Sequence, residues 1–222
     1  MLRIDNMKLS PGAGTAEIAA EAARQLKVKE KDITALRILR RSIDAREGVT
    51  MVYTVEVKVK EEEKVLKRCR SKHVSRAQRK LGYLLPTPQA APEVPPIVVG
   101  AGPAGLFAAL VLAKAGLKPI LLERGRSVEQ RSEDVERFWS TGVLDLISNV
   151  QFGEGGAGAF SDGKLNTGTK DIRHRFILEQ LVQNGAPEDI LMDAKPHVGT
   201  DYLHVVLKNL REELIKWDGY PL

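Results

Sequence analysis

The residues best suited to chemistry lie mid-chain, where Gly100-Ala101-Gly102-Pro103-Ala104-Gly105 follows Ile97-Val98-Val99. The β-branched run reads as a short, fully buried parallel strand. The glycines then share the tasks of a phosphate loop. Gly100 allows a tight strand-to-helix turn, Gly102 lets a pyrophosphate approach the backbone, and Gly105 lets the helix pack on the strand. The helix runs from Leu106 to Ala115, Gly116 ends it, and Lys118 to Glu123 supplies a second strand. Glu123 comes 18 residues after Gly105, near the interval at which a carboxylate accepts hydrogen bonds from ribose hydroxyls. Strand, loop, helix, strand and acid in that order predict a dinucleotide site with its phosphates at the positive helix end.

A second glycine-rich stretch, Asn149 to Asn166, contains Gly155, Gly156 and Gly158, then Ser161 and Lys164. Such density lets a backbone present successive N–H groups to an anion or carbonyl. Gly158 to Leu165 nearly spells a nucleoside-triphosphate P-loop, but Leu165 stands where a Ser or Thr would hold magnesium. Asn166 to Lys170 prolongs the loop where a helix would begin. The stretch is read as a loop of the dinucleotide pocket or, alternatively, as a structural glycine turn.

Three features bear on which dinucleotide binds: the fingerprint opens a domain, Pro103-Ala104 fills its variable positions, and Glu123-Arg124-Gly125 ends the second strand. Together they resemble FAD-dependent oxidoreductases of the glutathione-reductase-like superfamily. In such relatives an arginine further along meets the flavin pyrophosphate. Arg131 is the candidate, with a surface helix arginine as the alternative reading. Gln151 to Asn166, Pro196 to Asp201 and Leu39 to Arg46 look like the bacterial family of uncharacterised FAD-dependent dehydrogenases, also called NAD(FAD)-utilising dehydrogenases. That resemblance implies a cytoplasmic flavoprotein with FAD as cofactor, an NAD(P)H donor and no assigned substrate. It also implies that Gly155, Gly156, Gly158, Ser161 and Lys164 lie near the flavin. No catalytic acid or base is named by it. Members are longer, so the chain reads as a fragment or truncated gene product. Its closing residues, Lys216 to Leu222, do not read as the glycine-led strand expected next.

These motifs need elements to hold them. Prolines between Pro86 and Pro96 fix φ and remove amide donors, marking a linker over 86–96. The predicted fold is α/β: a Rossmann-type FAD-binding domain, incomplete, over 97–222, preceded by a small α+β domain over 1–85. In the latter, Leu2 to Leu9 reads as a strand, Thr15 as an N-cap and Ala16 to Leu26 as a helix. Ile33 to Ile43 and Val49 to Val59 read as strands, the second with Val49, Met51, Tyr53, Val55, Val57 and Val59 on one side. Glu61 to Leu81 reads as a helix, making a βαββα unit. The Gly12-Ala13-Gly14 stretch is a turn.

Composition narrows the function classes. Hydrophobic residues make up 43% of the chain, and neither a membrane span nor a signal peptide is apparent. Cys69 has no second cysteine for a disulfide or a Cys-x-x-Cys relay, so it is read as a bystander despite its basic neighbours. Before residue 93 there are 20 Lys+Arg against 11 Asp+Glu, and from Glu93 onward 14 against 18, so the net +5 hides a basic front third. Lys64 to Lys80 is a basic helical run without the interleaved aromatics that favour nucleic acid. His197 and His204 fall in a loop and a helix (Tyr202 to Ile215) respectively, an arrangement that predicts no metal site. Asp201 fits as an acid or cap at that helix's start. His73 and His174 are expected at the surface. The leading expectation is an FAD-dependent oxidoreductase of unknown substrate and oligomeric state. The runner-up is a non-catalytic binding module whose basic domain contacts nucleic acid or an acidic protein.

Overall fold

The computed structural model describes residues 1–78, 82–90, 92–165, 171–217 and 220–221. The chain forms two compact units, Met1–Leu81 with Leu191–Pro196, and Gly82–Ile190 with His197–Leu222. Both mix helices and strands. Among the described residues no helix is long and apolar enough to cross a membrane.

The first unit contains β1 (Leu2–Leu9), α1 (Thr15–Leu26), β2 (Ile33–Asp44), β3 (Thr50–Val59), α2 (Glu62–Arg68) and β4 (Val74–Arg76). Its sheet is antiparallel in the order β2-β3-β1-β4, the arrangement of the split βαβ motif. Alternation explains β3, whose Tyr53, Val55, Val57 and Val59 are buried. Val49 departs from that stripe, being 60% exposed ahead of the strand. In β1, Leu2, Ile4 and Met7 are all buried although a strict period of two would turn Met7 outward. A register shift between Ile4 and Met7 restores its side, with Asn6 at φ 57°, a conformation asparagine tolerates. Helix α1 adds Ile18, Ala22 and Leu26 to the same core, spaced to share one face. It begins at Thr15, so Gly14 and not Thr15 is the N-cap, and the Glu17 carboxylate accepts the Gly14 N–H at 2.8 Å.

The helix expected over 61–81 is much shorter. α2 stops at Arg68, and Val74–Arg76 pairs with β1 as a fourth strand. Burial of Val74 against the core outweighs the helical propensity of the surrounding Lys and Arg. Among the described residues the basic run is therefore divided between α2 and β4: Lys64 pairs with Glu61, Arg76 with Glu63, and Arg68 donates to the Lys27 carbonyl. Residues 79–81 of the expected helix and Ala91 of the proline segment lie outside the described residues. Cys69 is buried, its Sγ donating to the Gln25 carbonyl at 3.0 Å. Along β2, Arg41 exchanges backbone hydrogen bonds with Met192 and Ala194, and its guanidinium pairs with Asp193. His73 and His174 are half-buried.

The second unit carries β5 (Ile97–Val99), α3 (Pro103–Lys114), β6 (Ile120–Leu122), α4 (Val128–Thr141), α5 (Ile172–Gln183), α6 (Thr200–Lys216) and β7 (Tyr220–Pro221). Strands β5 and β6 pair in parallel, Ile97 opposite Ile120 and Val99 opposite Leu122. Strand β7 joins the far edge of β6, also in parallel. The closing residues thus contain a strand the sequence did not suggest, because a proline lacks the ladder donor and survives in a strand only at an edge. Residues 218–219 and 222 of that tail are not described. Helix α3 buries Leu106, Ala109, Leu110 and Ala113, one face of a 3.6-residue period. It covers only the Val98 side of β5, so Ile97 and Val99 are 60% and 81% exposed and the strand is not fully buried.

Candidate functional site

The chain leaves β5 at Val99 and turns at Gly100, whose φ of 94° favours a residue without Cβ. The Gly100 N–H reaches the Leu122 carbonyl at 2.6 Å, tying the turn to β6. Gly102 caps α3 in an extended conformation and Pro103 takes the first helical position, where its missing N–H costs nothing. A Cβ on Gly105 would fall onto the Gly100 carbonyl oxygen, so close helix-strand packing needs glycine there. At Gly102 the reverse holds: beyond its two chain neighbours, nothing lies within 4 Å of where a Cβ would sit. The space above Gly102 is open, at the N-terminus of a 12-residue helix, where the helix dipole favours negative charge.

Glu123 stands directly after β6 and bridges two backbones. One oxygen accepts the Ala101 N–H at 2.6 Å, the other the Gly125 N–H at 2.8 Å. Each carboxylate oxygen has a second lone pair, so the residue can take ribose hydroxyls as well. Arg124 lies over the Phe152 ring at 4.9 Å.

The second glycine-rich stretch folds onto this loop. Gly155 donates its N–H to the Ala101 carbonyl at 2.8 Å. A Cβ on Gly156 would stand 3.4 Å from Pro103 Cδ and 3.7 Å from Gly102 Cα. Ala101, Gly102, Pro103, Gly155 and Gly156 therefore line one spot, and at Gly158 the Cβ position is open. Ala104 lies in the first turn of α3. Further along, Ser161 bonds back to the Gly158 carbonyl at 3.4 Å and Lys164 pairs with Asp162 at 2.6 Å, so both make local bonds. Lys164 also forms an antiparallel bridge with His197. Residues 157–160 form a 3-10 turn, and the Asn166 to Lys170 part of the expected loop lies outside the described residues. His204 is on α6, its Nε2 2.9 Å from the Ala159 carbonyl. Gly199, not Asp201, is the N-cap of α6, and Asp201 is an acid in its first turn.

Arg131 is not a surface arginine: its side chain is completely buried. Its Nε donates to the Asn149 carbonyl at 2.7 Å and Nη2 to Val150 at 2.9 Å. Nη1 serves Glu154 at 2.7 Å, Gly156 at 2.8 Å and, more distantly, Gly153 at 3.4 Å. The guanidinium also lies over the Phe160 ring at 4.6 Å. Burial draws it below its ordinary pKa, opposed by the charges of Glu123 and Glu154.

Two further residues, Glu154 and Arg211, were not found by sequence reasoning. The buried Glu154 carboxylate accepts the Val128 N–H at 2.7 Å, capping α4, and meets Arg211 of α6 at 2.5 Å. Burial raises its pKa, while the Val128 N–H and Arg211 pull the other way. The available signal was an acid set between Gly153 and Gly155, a position where a mere surface charge would be out of place.

The connection after α4 has an apolar surface. Asp145, half-buried, accepts the Ile147 and Ser148 N–H groups and lies 3.7 Å from Arg126. Its neighbours Val143, Leu144, Leu146 and Ile147 are exposed.

Comparison with known proteins agrees with this geometry in part. Residues 96–159 match the family described as FAD binding domain. Residues 1–60 match a domain of unknown function, DUF8436. The chain is 44% identical over 220 residues to an uncharacterised protein of Clostridium beijerinckii, an alignment covering 98% of this chain and 41% of that protein. The chain therefore spans about two fifths of the length of this relative. The flavin-binding match thus falls on the segment that contains the fingerprint, Glu123 and the seated part of the glycine loop.

Proposed function

We propose that this chain is the FAD-binding part of a flavin-dependent oxidoreductase, built on a Rossmann-type arrangement of β5, α3 and β6. The observation that carries the reading is the open cradle at Gly102. It is bounded by the start of α3, by Gly156 and by the Ala101 backbone that Glu123 holds. A side chain on Gly102 would enter that space, and a pyrophosphate fits its chemistry: backbone donors, a helix N-terminus and no Cβ in the way.

In this reading the Gly100 to Gly105 backbone and the glycine loop hold the phosphates, Glu123 accepts the ribose hydroxyls, and Arg124 lies beside it. FAD, when bound, supplies the redox chemistry, and the chain supplies binding, orientation and electrostatics. NAD(P)H is the proposed donor and the cytoplasm the proposed location, both resting on the family resemblance. Within the two glycine segments no side chain is assigned as acid or base.

Titration of the purified chain with FAD by calorimetry, read together with quenching of flavin fluorescence, tests the assignment. Saturable binding that Gly102→Trp abolishes is the expected result. A wild-type chain that takes up no FAD overturns it.

A further inference from the structure

The glycine loop is held by a side chain that has no opening toward the cradle, and this changes what Arg131 can do. Five carbonyl oxygens, from Asn149, Val150, Gly153, Glu154 and Gly156, converge on its guanidinium. A trans peptide is planar, with its C=O and N–H pointing in opposite directions. Each carbonyl drawn to Arg131 therefore turns the next residue's N–H away from it.

The structure shows where that other direction leads. The Glu154 carbonyl binds Arg131, and the N–H of the same peptide, on Gly155, reaches the Ala101 carbonyl of the fingerprint at 2.8 Å. The Gly156 carbonyl also binds Arg131, so the Ala157 N–H is turned from the guanidinium. It follows the residue that stands against Gly102 and Pro103, and Ala157 is exposed.

We propose that Arg131 is a positioning residue for the bound dinucleotide, acting through the loop: it gathers the carbonyls on one side, which seats the Gly155 N–H on the Ala101 carbonyl and turns the exposed Ala157 N–H toward the phosphates. The inference rests on the FAD reading above. It replaces a direct arginine-phosphate contact with an indirect one, because a buried guanidinium engaged with carbonyls has no face left for the ligand. Lysine cannot substitute. Its single ammonium lacks the planar fork needed to reach carbonyls on three sides at once.

The test uses the 222-residue chain with Arg131→Lys, checked for folding by circular dichroism and thermal melting. Affinities are measured for FAD, ADP and adenosine, and amide exchange is followed without ligand. The expected result is a loss of about tenfold or more for FAD and ADP, the scale of one or two misplaced hydrogen bonds. Adenosine, which lacks the phosphates, should change little. Exchange at Gly155, whose N–H is bonded to the Ala101 carbonyl, should quicken while β3 stays protected. Unchanged ADP affinity in the folded variant overturns the proposal, as does an equal loss for adenosine or unchanged exchange at Gly155. If Arg131→Lys does not fold, Arg131→Ala prepared with and without guanidinium ion takes its place. Recovery of ADP affinity with the ion supports the proposal, and no recovery overturns it. A wild-type chain that binds neither FAD nor ADP, yet shows the exchange effect, marks failure of the flavin reading and with it of the ligand role, while Arg131 would still order the loop.

Discussion

At the scale of single residues, two glycines in one motif carry different burdens. Gly105 is needed by the fold, because any Cβ there meets the Gly100 carbonyl. Gly102 has an ordinary extended conformation with free space beside it. Gly105→Ala should therefore cost about 2 kcal/mol or more, as overpacking against backbone does, with a lower melting temperature as the readout. Gly102→Leu should change stability by no more than about 0.5 kcal/mol and still lose FAD. Equal melting losses for both variants would contradict this division. Arg131 shows the limit of reading at this scale. Its presence in a helix is plain from sequence, but the carbonyls it collects lie 18 to 25 positions away, and a captured backbone leaves no mark on side-chain types.

At the scale of elements, Glu154 fastens a loop to two helices, and its protonation sets the sign of a pH effect. The folded carboxyl has a raised pKa, so the folded chain holds this proton more readily than the unfolded one. Its contribution is complete at low pH and declines as pH rises through the ordinary carboxylate value to the folded one. Glu154→Gln removes that slope. The melting temperature of the variant minus that of the wild type should become more positive from about pH 4 to 7, and a constant difference would refute the assignment. Legibility also divides at this scale. Strands β1, β2 and β3, helix α1 and the β5-α3-β6 order were readable because alternation, helical period and the glycine turn are local signals. The stretch after Arg68 was not, since Val74 becomes a strand only through burial beside β1. Strand β7 was hidden for the same reason, as its pairing with β6 joins residues 100 apart. In the candidate site, the fingerprint and Glu123 were evident from spacing. The seating of Gly155 and Gly156 on Ala101 and Gly102 required the fold, and so did the roles of Glu154 and Arg211.

At the scale of the whole molecule, the described part of the basic run is not one helical stripe, because α2 ends at Arg68 and a strand follows, and acids beside it take up Lys64 and Arg76. The surface also offers apolar side chains: Ile97 and Val99 on β5, and Val143, Leu144, Leu146 and Ile147 after α4. The bonding of Asp145 to the amides of its own loop is the feature with the widest consequence. It engages the run's one charge with its own backbone amides and leaves four apolar side chains outermost, so the colloidal behaviour of the purified chain should depend on these few side chains more than on its net charge of +5. Static light scattering should show attraction between molecules that grows with salt, as charge repulsion is screened. Leu146→Lys with Ile147→Lys should reverse it while leaving stability within about 1 kcal/mol. Solution handling would then be governed by a loop whose backbone is well bonded, with its stickiness a product of order and not of unfolding.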